Sequence, residues 1–318
     1  MAPSRGPPPT PRYLHLTLDS HTGPVHVVRY AKGAAKYILS GGQDRTVRLF
    51  NPDLGTEIKT YKGHGYEVLS ITVSPDNSKF ASGGGDRSVF YWDVTTGQTI
   101  RRLAGHIGRI NAVEFNGDAS VLASGSYDGK VNLWDLRAQG VRTPIQVLDD
   151  ARDSVTSLSV ASHLIVTGSV DGYVRTYDLR KGELHADYLG YPVTSVLPTA
   201  DLQTVLATVL DSKVLLMDDS VGTALATFTG HKNDEYKARA CFGHAEASVV
   251  CGDEDGRIWA WDLLDGKPMG DNPPPKVHKK VITWVEQHPV KSGEMVSASG
   301  DGTVKVWRDQ ITKNGENA

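Results

Sequence analysis

One unit is written into this chain repeatedly. Gly63-His64 leads through Ser82-Gly83-Gly84-Gly85-Asp86 to Trp92-Asp93. A shift of 42 gives Gly105-His106, Ser124-Gly125-Ser126-Tyr127-Asp128 and Trp134-Asp135. Both copies keep 22 residues from His to Asp and 6 from Asp to Trp. A repeat of this length, opening on Gly-His and closing on Trp-Asp, encodes a small four-stranded sheet that cannot bury both faces alone and must stack against further copies. Turn aspartates recur as Asp44, Asp86, Asp128, Asp171, Asp211, Asp255 and Asp301. Six residues after each stands Phe50, Trp92, Trp134, Tyr177, Met217, Trp261 or Trp307. Seven units share this register, so the expected fold is all-β, a seven-bladed β-propeller.

Each unit supplies an inner strand, a middle strand ending in small residues, a hairpin at the Asp, a third strand ending on the aromatic, and an outer strand. In the second blade these fall near 66–73, 79–83, 88–92 and 98–103. Pairs such as Asp128-Gly129, Asp171-Gly172 and Asp301-Gly302 signal two-residue hairpins. The seventh unit reaches Trp307 without an outer strand, while 13–18 alternates like a spare one. Pairing the two closes the ring and removes two bare edges. The expected organisation is a disordered proline-rich tail (1–12), a propeller (13–308) and a polar C-terminal tail (309–318). Blades four and five are degenerate, with Asp149, Tyr177, Ala207 and Met217 at signature positions. The prolines at 268 and 273–275 predict a short outer strand and a projecting loop in the sixth blade.

Length alone would suggest two domains, but a ring of repeats is one object of this size. A net charge of -3 and pI near 6.4 argue against a protein organised around nucleic-acid phosphates. Cys241 and Cys251, alone and without a histidine pair, read as buried free thiols rather than a redox pair or zinc site. The chain has no 18-residue apolar run and no apolar stretch near its start. The expected setting is therefore the cytoplasm and nucleus, with no membrane partner.

Ser82, His64 and Asp86 are the residue types of a hydrolytic triad. The same types recur as His106, Ser124, Asp128 with Trp134, and as His278, Ser297, Asp301 with Trp307. A reactive centre has no use for copies around a ring, whereas a structural staple does. The sets His64/Ser82/Asp86/Trp92, His106/Ser124/Asp128/Trp134 and His278/Ser297/Asp301/Trp307 are therefore read as hydrogen-bonded tetrads, and no catalytic residue, metal or cofactor is expected. The glycine run 83–85 lacks the Lys-Ser/Thr and helix of a phosphate loop. His15, His21 and His26 form a loose group without ligand spacing, and Thr10-Pro11 in the tail is a candidate phosphorylation site. What remains is surface. Residues flanking each inner strand and preceding each turn Asp should gather on one rim: Gln43, Tyr66, Glu67, Arg109, Asn111, Tyr127, Arg152, Asp153, Tyr191, Tyr236, Lys237, Glu254 and Lys280. Tyrosine and arginine there are the types that anchor protein interfaces.

From Tyr13 to Trp307 these motifs resemble the WD-repeat family. Less general strings, among them Gly63-His64-Gly65-Tyr66-Glu67-Val68-Leu69, Ser169-Val170-Asp171-Gly172 and Gly230-His231-Lys232-Asn233, resemble one group of scaffolds within it. That resemblance implies a non-enzymatic platform whose partners are proteins. It implies components of the spliceosome, in pre-mRNA splicing, and components of the Raf–MEK–ERK mitogen-activated protein kinase module. It further implies a monomer within larger assemblies that does not itself bind nucleic acid by sequence.

Overall fold

The computed structural model describes residues 10–138, 140 and 143–309. Seven antiparallel sheets stand around a central channel, six with four strands and one with three. The first blade is Val25–Tyr30, Ile38–Gly42, Thr46–Asn51 and Thr56–Lys62. In the second, Val68–Val73, Lys79–Gly84, Ser88–Asp93 and Thr99–Ala104 lie within two residues of the expected bounds. The only helical element among the described residues is one 3-10 turn, His244–Glu246. The ring closes as the spare strand required: Tyr13–Leu18 pairs antiparallel with Val304–Arg308 and becomes the outer strand of the seventh blade.

What sets blade against blade is a recurrent close approach. Gly41, Gly83, Gly125, Gly168 and Gly252, in middle strands, each face a branched residue of the next inner strand. A Cβ at these positions would lie 2.7, 2.6, 2.7, 2.6 and 2.4 Å from Val68, Ile110, Val155, Val193 and Ile282 respectively. In these five blades the end of the middle strand is therefore a socket for the neighbouring blade, and the branched side chain fills it at van der Waals contact; Thr208 and Ala298 stand at the same position in the fifth and seventh. In six blades the inner strand carries a bulge at its start, as between Val68 and Ser70, which adds twist where strands converge on the channel.

A second tie is polar. The amide of Asn111 donates to Val155 O at 2.8 Å, and the hydroxyls of Thr156, Thr194 and Thr283 donate to Val193 O, Ala238 O and Val25 O at 2.5, 3.1 and 2.7 Å. The hydroxyls of Ser70, Ser157 and Ser195 accept from the backbone N–H of Val113, Val196 and Ala240. Inner-strand side chains thus satisfy backbone groups of the next blade, where water is excluded.

The sixth blade corrects the sequence reading. It has three strands, Ala240–Phe242, Ser248–Gly252 and Ile258–Asp262, and no outer strand. The chain beyond Asp262 does not project. It runs along the blade on single contacts: Asp262 N to Lys267 O, Met269 N to Ala260 O and Val277 N to Gly256 O, at 2.8–3.0 Å. Four prolines in this stretch lack the N–H that a continuous ladder needs. The tail is corrected too, since Thr10–Arg12 lie in a 200 Å³ cleft beside Met269, Met295 and Trp307, with Pro11 buried. The Thr10 hydroxyl is itself buried, not freely reachable as a phosphorylation site in a loose tail. The rest of both tails, 1–9 and 310–318, lies outside the described residues.

The socket contact gives a direct test. Gly83→Ala should destabilise by about 1–3 kcal/mol through crowding of Ile110, and the cost should shrink in an Ile110→Ala background. Urea unfolding of the two single variants and the double variant measures the coupling; strict additivity would show that the glycine is not a socket.

Candidate interaction face and channel

The Gly-His loops and the Asp hairpins lie on one face of the ring, and the staples that fix them form as the repeat demands. In the second blade Trp92 Nε1 donates to Ser82 Oγ at 2.8 Å. The Ser82 hydroxyl in turn donates to His64 Nε2 at 2.7 Å, and His64 Nδ1–H donates to Asp86 at 2.6 Å. The third blade repeats the chain through Trp134, Ser124, His106 and Asp128 at 2.9, 2.9 and 3.1 Å. The seventh repeats it through Trp307, Ser297, His278 and Asp301 at 2.9, 2.8 and 3.1 Å. The aspartates also cap the loop they face: Gly65, Ile107 and Lys279 N–H donate to Asp86, Asp128 and Asp301. Ser82, Ser124 and Ser297 are fully buried, so no acyl or phosphoryl substrate can reach their hydroxyls.

A fourth copy was missed. His21 Nδ1–H donates to Asp44 at 3.0 Å and Ser40 Oγ lies 2.7 Å from His21 Nε2, with Phe50 in the place of Trp. Its 23-residue His-to-Asp spacing equals that of His278 to Asp301, which was the available signal. His15, His21 and His26 do not form a group. His21 belongs to this staple, while His26 lies 4.0 Å from Glu67.

In the fourth blade arginine replaces histidine. Arg175 reaches Asp171 at 2.8 and 3.2 Å and Ser169 at 2.7 Å. In the sixth the staple is lost. Cys251 stands at the serine position, Asp255 is exposed, and neither ring nitrogen of buried His231 has a partner. Asp253 instead takes Trp259 Nε1 at 2.8 Å. Cys241 and Cys251 are buried and free, and burial pushes the Cys241 thiol up to about 12.

Burial pushes His64, His106 and His278 below the ordinary imidazole range against the pull of their aspartates, His278 to about 4; burial also holds His231 near 4. For Asp301 burial acts upward, but the hydrogen bonds from Thr303 and Lys279 and the nearby His278 outweigh it and hold the carboxyl near 2. His64, His106 and His278 are thus neutral imidazoles, each donating to its aspartate.

The expected rim divides. Tyr66, Tyr127, Tyr191 and Tyr236 are exposed by 65, 58, 43 and 52 %. Arg109 lies 5.3 Å over Tyr127, and Lys213 lies 5.2 Å over Tyr191. Gln43, Arg152, Asp153 and Lys280 are exposed and Glu67 is half-buried. Two placements are corrected. Asn111 is buried in its inter-blade hydrogen bond, and the Glu254 carboxylate turns inward to accept from the N–H groups of Asp234, Glu235 and Tyr236. Lys237 reaches across the channel from the sixth blade, with Nζ 3.1 Å from Asn111 O and 2.6 Å from Thr156 O. It is open to channel water yet ringed by protein. That enclosure, with the charges of Arg239 and Arg109, pulls its amine down to about 7. Ile107 (78 % exposed) and Val170, on the same loops, were not anticipated. Among the described residues no group of side chains has the arrangement of a metal site, and no helix is long and apolar enough to cross a membrane.

A ring of seven such sheets, with staples bracing one face in the first, second, third and seventh blades, defines a β-propeller, a fold that fits a scaffold or protein-interaction role. The profile of the WD domain, G-beta repeat, matches residues 13–51, 55–93, 97–135, 142–178 and 276–308, and the chain belongs to the WD-repeat family. It is 47% identical over 313 residues to human WD repeat domain-containing protein 83, covering 97% of this chain and 96% of that one. It is 50% identical over 308 residues to the rat protein of the same name, covering 95% and 94%. An uncharacterized WD repeat-containing protein of Schizosaccharomyces pombe is 50% identical over 285 residues, covering 90% and 94%. The profile passes over blades five and six, where Met217 and Cys251 break the signature.

The neutral staples make stability pH-dependent. The unfolded chain binds protons at imidazoles from about pH 6.5 downward. His278 in the fold does so only near 4, so stability is full above 6.5 and falls on acidification through that window. Each such histidine contributes up to about 1.4 kcal/mol per pH unit. Urea midpoints at pH 7.5, 6.0 and 5.0 should fall in order, with a shallower slope in His278→Asn. Midpoints that do not move would show that these imidazoles take up protons as readily in the fold as in the unfolded chain.

Proposed function

We propose that this propeller is a non-enzymatic scaffold that presents its stapled face to proteins of the spliceosome, in pre-mRNA splicing. The observation that carries this reading is the set of four exposed tyrosines with Ile107 on that face, held by loops whose backbone is hydrogen-bonded to buried carboxylates. Large apolar side chains on a stiff support cost little conformational entropy when a partner covers them. Resemblance of the Gly63–Leu69 and Gly230–Asn233 strings to splicing-associated scaffolds supports the choice of assembly. The same resemblance supports the Raf–MEK–ERK module as a second client, and residence in both nucleus and cytoplasm.

The test is affinity purification with mass spectrometry of the wild type and a Tyr66→Ala/Arg109→Ala/Tyr236→Ala variant. The variant should keep its melting temperature, because all three side chains are exposed, and should lose its main partners. Spliceosomal proteins among those lost support the first assignment; kinases alone would move it to the second. An unchanged partner set would remove the rim as the working surface. RNA affinity that falls steeply with salt would replace the protein partner by nucleic acid.

A further inference from the structure

The opposite end of the channel holds an arginine that the fold does not satisfy. Arg239, just ahead of the sixth inner strand, lies with its Cζ 4.2 Å over the ring of Trp284. None of its five N–H donors meets an acceptor, and it makes no ion pair, among the described residues. Arg29, in the same channel, is its contrast. Its Nη2 lies 2.9 and 3.0 Å from the two Glu114 oxygens and its Nε 3.6 Å from Glu286. The two nearby carboxylates are already taken up. Glu114 also accepts from Thr72, and Glu286 accepts from Tyr30 N–H and Trp284 Nε1. Both are therefore spent on Arg29 and on neighbouring blades. Arg239 is half-buried and open to channel water; its enclosure by protein and the like charge of Arg29 push the guanidinium down to about 10.

Arg239 lines the waist of the channel and the inner end of a 420 Å³ vestibule that opens away from the stapled face. Leu197, Pro198, Phe242 and Val285 supply its apolar wall. A guanidinium carries its donors in a planar fork that matches a carboxylate, and the contact with the Trp284 ring leaves that fork without a protein acceptor. The vestibule also holds Arg29 and Lys32 against Glu114, Glu246 and Glu286, so with Arg239 its formal charges balance, and the apolar wall favours a singly charged group on an apolar body over phosphate, a dianion more costly to strip of water. A cavity of this volume, with an apolar wall facing a guanidinium that no protein acceptor meets, can seat a ligand that is apolar at one end and anionic at the other.

We propose that this vestibule binds a singly charged carboxylate carried on an apolar body, with Arg239 as its anchor. The carboxylate comes either from a small organic acid or from the C-terminus of a partner chain. The site is separate from the tyrosine face, and neither reading depends on the other.

The test uses the full chain and three soluble probes: N-acetyl-leucine, its uncharged amide and inorganic phosphate. Titration calorimetry should show N-acetyl-leucine binding, with the amide and phosphate weaker by about tenfold or more, as loss of a charge-assisted pair implies. Arg239→Gln should reduce binding of the acid by a similar factor, and Arg239→Lys should restore part of it. A ten-residue peptide ending in leucine carboxylate separates the sources. Binding tighter than that of N-acetyl-leucine points to a chain terminus, and equal or weaker binding points to a small acid. Equal affinity for acid and amide, phosphate preferred over the acid, or an unaffected Arg239→Gln protein overturns the proposal. The acid–amide comparison needs only the wild type, so it decides the matter even if the variants fail to fold.

Discussion

The contact on which the molecule depends is the seating of one blade's inner strand in the glycine socket of the blade before it. A lone four-stranded sheet has two apolar faces and no way to cover either. Here one face of each blade meets the other face of the next, a heterologous contact that extends indefinitely unless its rotation closes. Closure falls to the chain's own start. Tyr13–Leu18 gives the last blade its outer strand, and the rung from Thr283 to Val25 O joins the seventh blade to the first in the manner used elsewhere around the channel. The apolar core is continuous across that junction, with Trp284 and Val296 clustered with Val25 and Val68. The first and last blades are bonded as firmly as any others.

How far the sequence could be read follows from the range of each interaction. Turns and staples depend on residue types at fixed spacing, so His64, Ser82, Asp86 and Trp92 could be assigned as a unit, and their copies with them. Six turn residues show the local rule and its limits. Gly129, Gly172, Gly256 and Gly302 sit at φ between 79° and 89°, and Arg45 and Arg87 occupy the same left-handed position at 66° and 57° without glycine's help. Features decided by a distant chain segment were not legible. Asn111 and Glu254 have surface chemistry, yet one answers a carbonyl of the next blade and the other three amides of a loop some twenty residues away. Nothing local distinguishes them from Arg109 or Asp153. The missing outer strand of the sixth blade was half legible: the prolines excluded a ladder, but not the way the loop hugs the blade.

The staples also take the serine, histidine and aspartate side chains of this face out of contact with solvent. Each aspartate spends its lone pairs on an imidazole N–H and on the loop amides above it, and each serine is enclosed between indole and imidazole. The residue types of hydrolytic chemistry are present, but their geometry is saturated and dry. What faces solvent is the remainder, tyrosines and cations whose role in the fold is slight. Polar chemistry turned inward and aromatic surface turned outward is the division expected of a platform, because a partner can then desolvate tyrosines without first breaking a buried network.

The same stiffness decides what such a disc contributes to an assembly. A flexible tether raises the local concentration of two clients only as far as its length distribution allows, and the gain decays as the tether grows. A closed ring, tied between blades by packed side chains and backbone hydrogen bonds, fixes the separation and orientation of its two faces instead. A client on the tyrosine face and a carboxylate in the vestibule would lie at opposite ends of one channel, with Lys237 and Arg239 between them. Lys237 bonds carbonyls of the third and fourth blades, and Arg239 stacks on the seventh, so side chains of the sixth blade reach three others across the channel. The sixth blade is also the one without an outer strand and without a staple. The blade without an outer strand or a staple is therefore tied across the channel by Lys237, whose bonds to the third and fourth blades hold it where its own sheet does not.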